Sequence, residues 1–542
     1  MQLASLMRRA RSGALGNSLI VMGGFVLSRA TGVLRDIIAS YFFGTSAQMA
    51  AYRSAFQIVD LLYLVIIGGA LGSSFIPVFI QVWERDGEER AWHLAGAVLT
   101  WALLALSLAS VAIFAAAPWL VHIVYGGKGF APATLDLIVQ LARLFLLSPL
   151  LLGVGGLAMA ALNARDRFAM PALAPSIYNL GIIAGAICAP WLGIWGMAWG
   201  VVIGALLYVL AQVPALLGLG ARLRLGLGRQ IAELGQVARQ MGPRVLGQAA
   251  AHISVVATSA LAARLDNGDS KVAGLIYAYQ LMLLPYGIFS LSLSQVAFPR
   301  LARLVAEGRR DALAADVRRT LGTILWLTLP AMAGLLALGF PAARALFERG
   351  EFNARSLNYT TLALAGYAAA LPAFAASEIL IRTFYALQRT WTPVLVGMLQ
   401  VGLNLGLGAW LLGRGGDIGT LALAFSVANN LESLLLLLLL GAALPGIWRD
   451  SGLWRTLGAA ALASAALGGL LATARALSAP LIPALAEDHA YVWRAELLPL
   501  LLWLVGAAAL GAAIYLGLTA ALGAAPARAF LVRMRRASVA DS

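Results

Sequence analysis

The chain has 542 residues, of which 61% are apolar and only 12% charged, about half the charged share of a water-soluble domain. Its apolar runs can cross a hydrocarbon core of about 30 Å, and its mean hydropathy is +0.84, which excludes a soluble globular protein. The net charge of +15 collects at the ends of these runs, the pattern of a membrane surface rather than a nucleic-acid interface.

The expected fold class is all-α and polytopic. Alternating polarity would mark a β-barrel, and the seven consecutive leucines at 434–440 do not alternate. About fourteen spans are expected, near residues 14–43, 55–83, 92–121, 133–162, 170–190, 193–219, 244–265, 272–298, 320–343, 356–387, 392–413, 416–444, 454–476 and 495–523. The basic start at Arg8, Arg9 and Arg11 precedes an apolar stretch too long for a cleavable signal, so the first span is expected to remain as an anchor. Arginines then alternate by side. About 25 of the 39 basic residues fall on one set of ends and loops, which predicts both termini in the cytoplasm. Lys128 and Lys271 fall on the opposite side.

An internal repeat overlays this order. Pro77 and Pro171 recur as Pro299 and Pro393 at an offset of 222 residues (299 minus 77; 393 minus 171). Two copies of six spans each would share one orientation about an axis along the membrane normal. The expected organisation is an N-lobe at 1–219, a C-lobe at 220–444, and the last two spans with a basic tail at 445–542.

Several chemistries are absent. Lys128 is followed by Gly129 and Lys271 by Val272, so neither lysine completes a Walker A loop. Cys188 is the one cysteine, and His93, His122, His252 and His489 lack metal-ligand spacing. The expectation is a secondary transporter or passive flippase: no enzyme, no metal and no bound cofactor.

Charges inside spans then carry most of the information, because each costs about 2.5–3.5 kcal/mol at the bilayer centre. Span 1 holds Arg29, Arg35 and Asp36, with Arg29 and Asp36 on one helical face and Gly32 between them. They read either as an anion site facing a cavity or as a pair at the membrane boundary. Glu378 and Arg382 have the spacing of a same-helix ion pair, structural or substrate-contacting. Asp60 opens span 2, and Asn179, Gln248, Gln280 and Asn404 interrupt apolar helices, where interhelical hydrogen bonds are the simpler account. The small residues at 68–74 permit close backbone approach.

Taken together, Ser28-Arg29 with Gly32 and Arg35-Asp36, Asp60-Leu61-Leu62, Phe75-Ile76-Pro77, Leu162-Asn163-Ala164 with Arg167-Phe168, Leu346-Phe347-Glu348-Arg349-Gly350, Leu371-Pro372-Ala373-Phe374 and Phe384-Tyr385-Ala386-Leu387 resemble the MviN/MurJ family of lipid II flippases in the MOP transporter superfamily. The resemblance implies fourteen helices in two lobes around a cationic cavity, with the last two helices forming a groove for a polyprenyl tail. It implies a cargo of undecaprenyl-pyrophosphate carrying a disaccharide-pentapeptide, moved from the inner to the outer leaflet of the bacterial cytoplasmic membrane. Guanidinium groups suit a diphosphate because they bind its oxygens bidentately.

Arg29 and Arg35 match the family's cavity arginines, and Arg382 a basic position in its tenth helix. The candidate substrate-binding set is Arg29, Arg35, Asp36, Asp60, Gln280 and Arg382, with Glu378 and Arg382 also a structural pair. The chain departs from the family where an acidic residue is usual near Ala50, where an arginine is usual at Gln280 and where some members have one at Tyr63; Arg389 replaces a common acid. Expected partners are lipid II or a related polyprenyl-pyrophosphate lipid and the membrane, with cell-wall synthesis proteins as further candidates and no nucleic acid. Transport would be driven by membrane potential or an ion. The alternatives are export of another polyprenyl-linked glycan or amphiphile, and a transport-inactive envelope scaffold.

Overall fold

The structure, a computed structural model, describes residues 2–63, 75–228, 233–235, 249, 252–448 and 451–540, and excludes the side chains of 2–22, 61, 63, 451 and 533–540. Every regular element among the described residues is helical, and the chain forms two units, 1–256 and 257–542. The small-residue stretch at 68–74 and Gln248 lie outside the described residues.

The first unit contains α1 (Gln2–Phe43), α2 (Ala47–Tyr63), α3 (Ile76–Asp86), α4 (Glu88–Tyr125), α5 (Pro132–Phe145), α6 (Leu147–Ala164), α7 (Ala169–Ile187) and α8 (Ile194–Leu210). One of its cores joins α3, α4 and α6 through Phe75, Phe79, Trp92 and Leu157, with Phe79 and Trp92 rings 5.5 Å apart. Helices α7 and α8 meet through glycines. A Cβ on Gly200 would lie 2.7 Å from the carbonyl oxygen of Gly181, and one on Gly204 2.6 Å from that of Tyr178. Gly196, Gly200 and Gly204 recur every fourth residue, so a single helical face admits the neighbouring backbone.

The second unit contains α9 (Gly268–Pro285), α10 (Ser292–Ala306), α11 (Arg310–Phe347), α12 (Ala354–Ala368), α13 (Leu371–Ala386), α14 (Trp391–Leu412), α15 (Ile418–Ala443), α16 (Ser451–Ser478), α17 (Trp493–Ala521) and α18 (Ala525–Ala540). One core is shared by α10, α11, α13 and α15, and a second joins α11 to α16 and α17 around Trp326, Leu467 and Tyr515. A π-helical turn, Tyr286–Leu291, connects α9 to α10.

Among the described residues, ten helices are long and apolar enough to cross a membrane, or eleven when α12 and α13 count as one bent span. They coincide with eleven of the expected segments. Of the other three, 55–83 and 244–265 include residues outside the description, and 14–43, within α1, includes side chains outside it. Hydrocarbon is the solvent these surfaces require: the most apolar window of α17 is only 11% buried, and leaving such a face in water would forfeit about 25 cal/mol per Å².

The span read as a single helix at 356–387 is broken by 51° between α12 and α13. Pro372 stands in the first turn of α13, where its missing N–H and its ring interrupt the incoming ladder. The segment 133–162 is interrupted at Leu146, ahead of Pro149, yet runs on as one span.

Helix boundaries in the second unit repeat those of the first. Helices α4 and α11 both have 38 residues and begin 222 apart (310 minus 88). Left-handed backbone recurs at the same interval at Asp166 and Gln388, with φ of 55° and 59°, and at Gly193 and Gly415.

Candidate functional site

In the first unit the described charges meet where three helices converge. Gly44, with φ of 52°, reverses the chain after α1, a conformation glycine adopts without a Cβ penalty. The Ser46 hydroxyl then accepts from the Met49 N–H at 3.3 Å to start α2. This reversal sets Arg53 of α2 beside Asp36 of α1. Asp36 Oδ1 accepts from Arg35 Nε at 3.2 Å, Arg35 Nη2 at 3.1 Å and Arg53 Nη2 at 3.1 Å. Arg35 Nη1 donates to Asn179 Oδ1 on α7 at 3.1 Å. The Asn179 amide in turn donates to the Ser28 carbonyl and the Thr31 hydroxyl, at 3.3 and 3.2 Å.

Helix α1 runs unbroken through Gly32, where a Cβ would lie 3.7 Å from Asn179 Nδ2. Two guanidinium groups and one carboxylate make this cluster a net cation. Arg29 lies on an exposed turn, its guanidinium 5.1 Å from the Phe25 ring, while Asp36 is held by Arg35 and Arg53.

Asp60 stands elsewhere in α2, in a small pocket with Phe56, Val59, Phe145, Ser148, Pro149 and Leu152, and has His252 as an electrostatic neighbour. The His252 ring bonds the Gln57 carbonyl at 2.9 Å, and Tyr125 donates to Gln57 Oε1 at 2.8 Å.

In the second unit Glu378 accepts from Arg382 Nε at 2.8 Å and from the Tyr286 hydroxyl at 2.8 Å. The Tyr286 ring packs on Phe374, with centroids 4.8 Å apart. Glu378 and Arg382 form a neutral pair, each with 23% of its side chain exposed. Gln280 Oε1 is buried and has no hydrogen-bond partner among the described residues. Asn404 donates to the Thr258 hydroxyl at 2.9 Å, an interhelical bond.

Two arrangements escaped sequence reasoning. Arg53 stands near the position where the family's usual acid is missing, and its helical neighbours gave no sign that it folds back onto Asp36. Arg344, in the last turn of α11, is 1% exposed. It donates to Glu348 Oε2 at 2.6 Å, to the carbonyls of Ala484 and Ala486 at 2.9 and 2.6 Å, and to that of His489 at 3.3 Å. The i,i+4 spacing of Arg344 and Glu348 was visible in the sequence; the carbonyls more than a hundred residues away were not. Glu348 lies beyond the end of α11, and burial holds its carboxyl above the ordinary range despite Arg344. Among the described residues no three His, Cys, Asp or Glu side chains group as metal ligands.

An all-helical chain with this many membrane-length helices and buried charged side chains is a polytopic membrane protein. The sequence profile of the family described as lipid II flippase MurJ matches residues 38–484. The lipid II flippase MurJ of Burkholderia cenocepacia is 30% identical over 454 residues, covering 81% of this chain and 86% of that protein. The probable lipid II flippase MurJ of Bdellovibrio bacteriovorus is 28% identical over 449 residues, covering 82% and 85%. The chain therefore belongs to the lipid II flippase MurJ family. Its fold is similar to a solved lipid II flippase MurJ in an inward closed conformation, with a TM-score of 0.73 at 22% identity over 92% of this chain and 98% of that one. It is also similar to an inward-facing MATE-family multidrug transporter of the MOP superfamily, with a TM-score of 0.65 at 14% identity over 77% and 96%.

Proposed function

We propose that this protein is a flippase that moves lipid II, a peptidoglycan precursor on an undecaprenyl-pyrophosphate carrier, from the inner to the outer leaflet of the bacterial cytoplasmic membrane by alternating access. The observation that carries this reading is the family match across residues 38–484. Chemistry agrees with it: a diphosphate needs guanidinium donors, and the α1–α2–α7 cluster holds a surplus cation. Arg29, Arg35, Asp36, Asp60, Gln280 and Arg382 are the proposed cargo-facing set, with Glu378 ordering Arg382.

The full architecture proposed is fourteen spans, in six-helix lobes at 1–219 and 220–444 followed by a C-terminal pair at 445–542, with both termini cytoplasmic. Bonds between segments assigned to one side of the membrane support the topology. Lys271 meets Asp417 at 2.8 Å, and Arg85 meets Glu233 at 2.6 Å. The recurrence of helix boundaries at an interval of 222 supports the two-lobe reading.

Transport is proposed to be driven by membrane potential, since a reorienting cation gains about 2.3 kcal/mol per elementary charge per 100 mV. Kinship in fold with MATE transporters keeps ion coupling as the second reading. Two measurements test the function. The chain should rescue cells depleted of their lipid II flippase, and purified protein in vesicles should flip lipid II faster under an inside-negative potassium-diffusion potential. Failure to rescue, together with no flipping in vesicles, refutes the proposal; equal rates at zero and negative potential refute the coupling alone.

A further inference from the structure

The α1–α2–α7 cluster contains one more arginine than a structural ion pair needs. Arg35 and Asp36 alone would be a neutral pair, with the carboxylate offsetting the cation meant for an anionic headgroup. Arg53 changes this balance. Its Nη2 donates to the same oxygen, Asp36 Oδ1, that Arg35 engages, each at 3.1 Å. Side-chain exposure rises from 9% at Arg53 through 12% at Asp36 to 21% at Arg35. Arg53 and Asp36 are thus both nearly buried, and Arg35 is the most exposed of the three. Arg35 is also oriented from a second side, because its Nη1 donates to Asn179 Oδ1 at 3.1 Å.

We infer that Arg53 is a positioning residue for anion recognition: by holding the Asp36 carboxylate, it leaves Arg35 as the net cation that meets the pyrophosphate of a polyprenyl lipid. The inference rests on the cargo class proposed above and deepens it. Arg53 does not touch the anion; it acts through Asp36. Bidentate phosphate binding needs a guanidinium that is both fixed in direction and uncompensated in charge, and the two contacts on Arg35 supply the first while Arg53 supplies the second.

Charge compensation separates this role from simple packing. Arg53→Gln should weaken binding of a fluorescent undecaprenyl diphosphate to the reconstituted full-length protein about tenfold, raising the KM for flipping more than it lowers kcat. Arg53→Lys should stay near wild type. In Asp36→Asn/Arg53→Gln the amide oxygen can still accept from Arg35 while the negative charge is gone, so affinity should return to within about threefold of wild type. If Arg53→Gln does not fold, the double variant still decides, because a folded double variant with near wild-type affinity requires charge compensation. A double variant as weak as Arg53→Gln, or one that does not fold, overturns the inference, as does an Arg53→Gln protein that binds normally. Wild-type protein that neither binds nor flips any polyprenyl diphosphate instead removes the cargo proposal itself, and this inference with it.

Discussion

Two arginine sites divide the molecule by what their donors are committed to. At the C-terminal end of α11, Arg344 gives its N–H groups to Glu348 and to three backbone carbonyls, and almost none of its surface is exposed. At the meeting of α1, α2 and α7, two guanidinium groups share one carboxylate, and Arg35 remains 21% exposed. The first is closed and locally neutral, tying the segment between α16 and α17 to the end of α11. The second carries surplus charge on a partly exposed side chain. An arginine spent on its own backbone holds structure, whereas one with compensated geometry but uncompensated charge can bind an anion.

The largest effect is expected where the closed site is broken. Arg344→Ala strands the buried Glu348 carboxyl and three carbonyls, and should cost about 3–5 kcal/mol of stability in detergent. Glu348 supplies a pH signature. Its folded pKa is raised above that of the unfolded chain, so its contribution is most favourable below the ordinary carboxylate range and is lost as pH rises through the folded value. Arg344→Ala should therefore lose more thermal stability at neutral pH than near pH 5. An Arg344→Ala protein that melts like wild type would erase the contrast between the sites.

At the open site the loss should appear in transport. Arg35→Ala should reduce lipid II flipping about 10- to 100-fold, the worth of one to two charge-assisted hydrogen bonds, with folded yield retained. If folded yield falls in step with activity, the α1–α2–α7 cluster is structural and the two sites are of one kind.

Much of this was legible in the sequence, and the omissions share a cause. Apolar length placed eleven of the spans because it is a local property. The repeat was visible in prolines because proline fixes backbone wherever it falls. The glycines at 181, 185, 196, 200 and 204 were equally visible, but only close approach of two backbones distinguishes them from the 57 glycines of the chain. Arg53 was missed because Asp36 lies on another element, and the closed site at Arg344 because the three carbonyls it meets lie far along the chain, where no spacing rule records them. Asn179 was read as an interhelical hydrogen bonder and is one, although its bond to Arg35 ties it to the site.

The glycine face between α7 and α8 offers a third perturbation, one that alters no charge. Gly200→Val would drive its Cβ toward the Gly181 carbonyl oxygen and the Ile182 Cα, 2.7 and 3.1 Å away, and overpacking of this kind costs about 1–3 kcal/mol. Because α7 carries Asn179, flipping should fall together with the melting temperature. Loss of stability with wild-type flipping would detach α7 from the anion site.

The Glu378–Arg382 pair lies between the two extremes, neutral like the Arg344 site but with 23% exposure on each partner. Glu378→Ala should cost about 1–2 kcal/mol, below the full penalty for a buried pair because water reaches the abandoned guanidinium. The Tyr286 hydroxyl also loses its acceptor, so Glu378→Gln, which keeps an oxygen there, should recover part of the loss in a thermal melt. Equal effects of Ala and Gln would make the charge, rather than the hydrogen bond to the π-helical turn, the ordering element.

The smallest effect is expected at Arg85, which makes as many polar contacts as Arg35. It donates to Asp86 at 2.7 Å and to Glu233 at 2.6 Å, with 55% of its side chain exposed. These contacts raise the Arg85 pKa and lower that of Asp86, chiefly through their mutual hydrogen bond. The arginine is charged with or without them, and the lowered Asp86 value favours the folded state only above the ordinary carboxylate range, a contribution that fades as pH falls through the folded value. Solvent and salt screen such a pair. Arg85→Ala should therefore leave the melting temperature at pH 7 and 0.15 M salt unchanged within error, while the same variant at low salt shows a small decrease. A large drop at both salt concentrations would mean that contact geometry alone, without burial or surplus charge, is enough to make an arginine structural in this fold, and the distinction between the Arg344 and Arg35 sites would lose its basis.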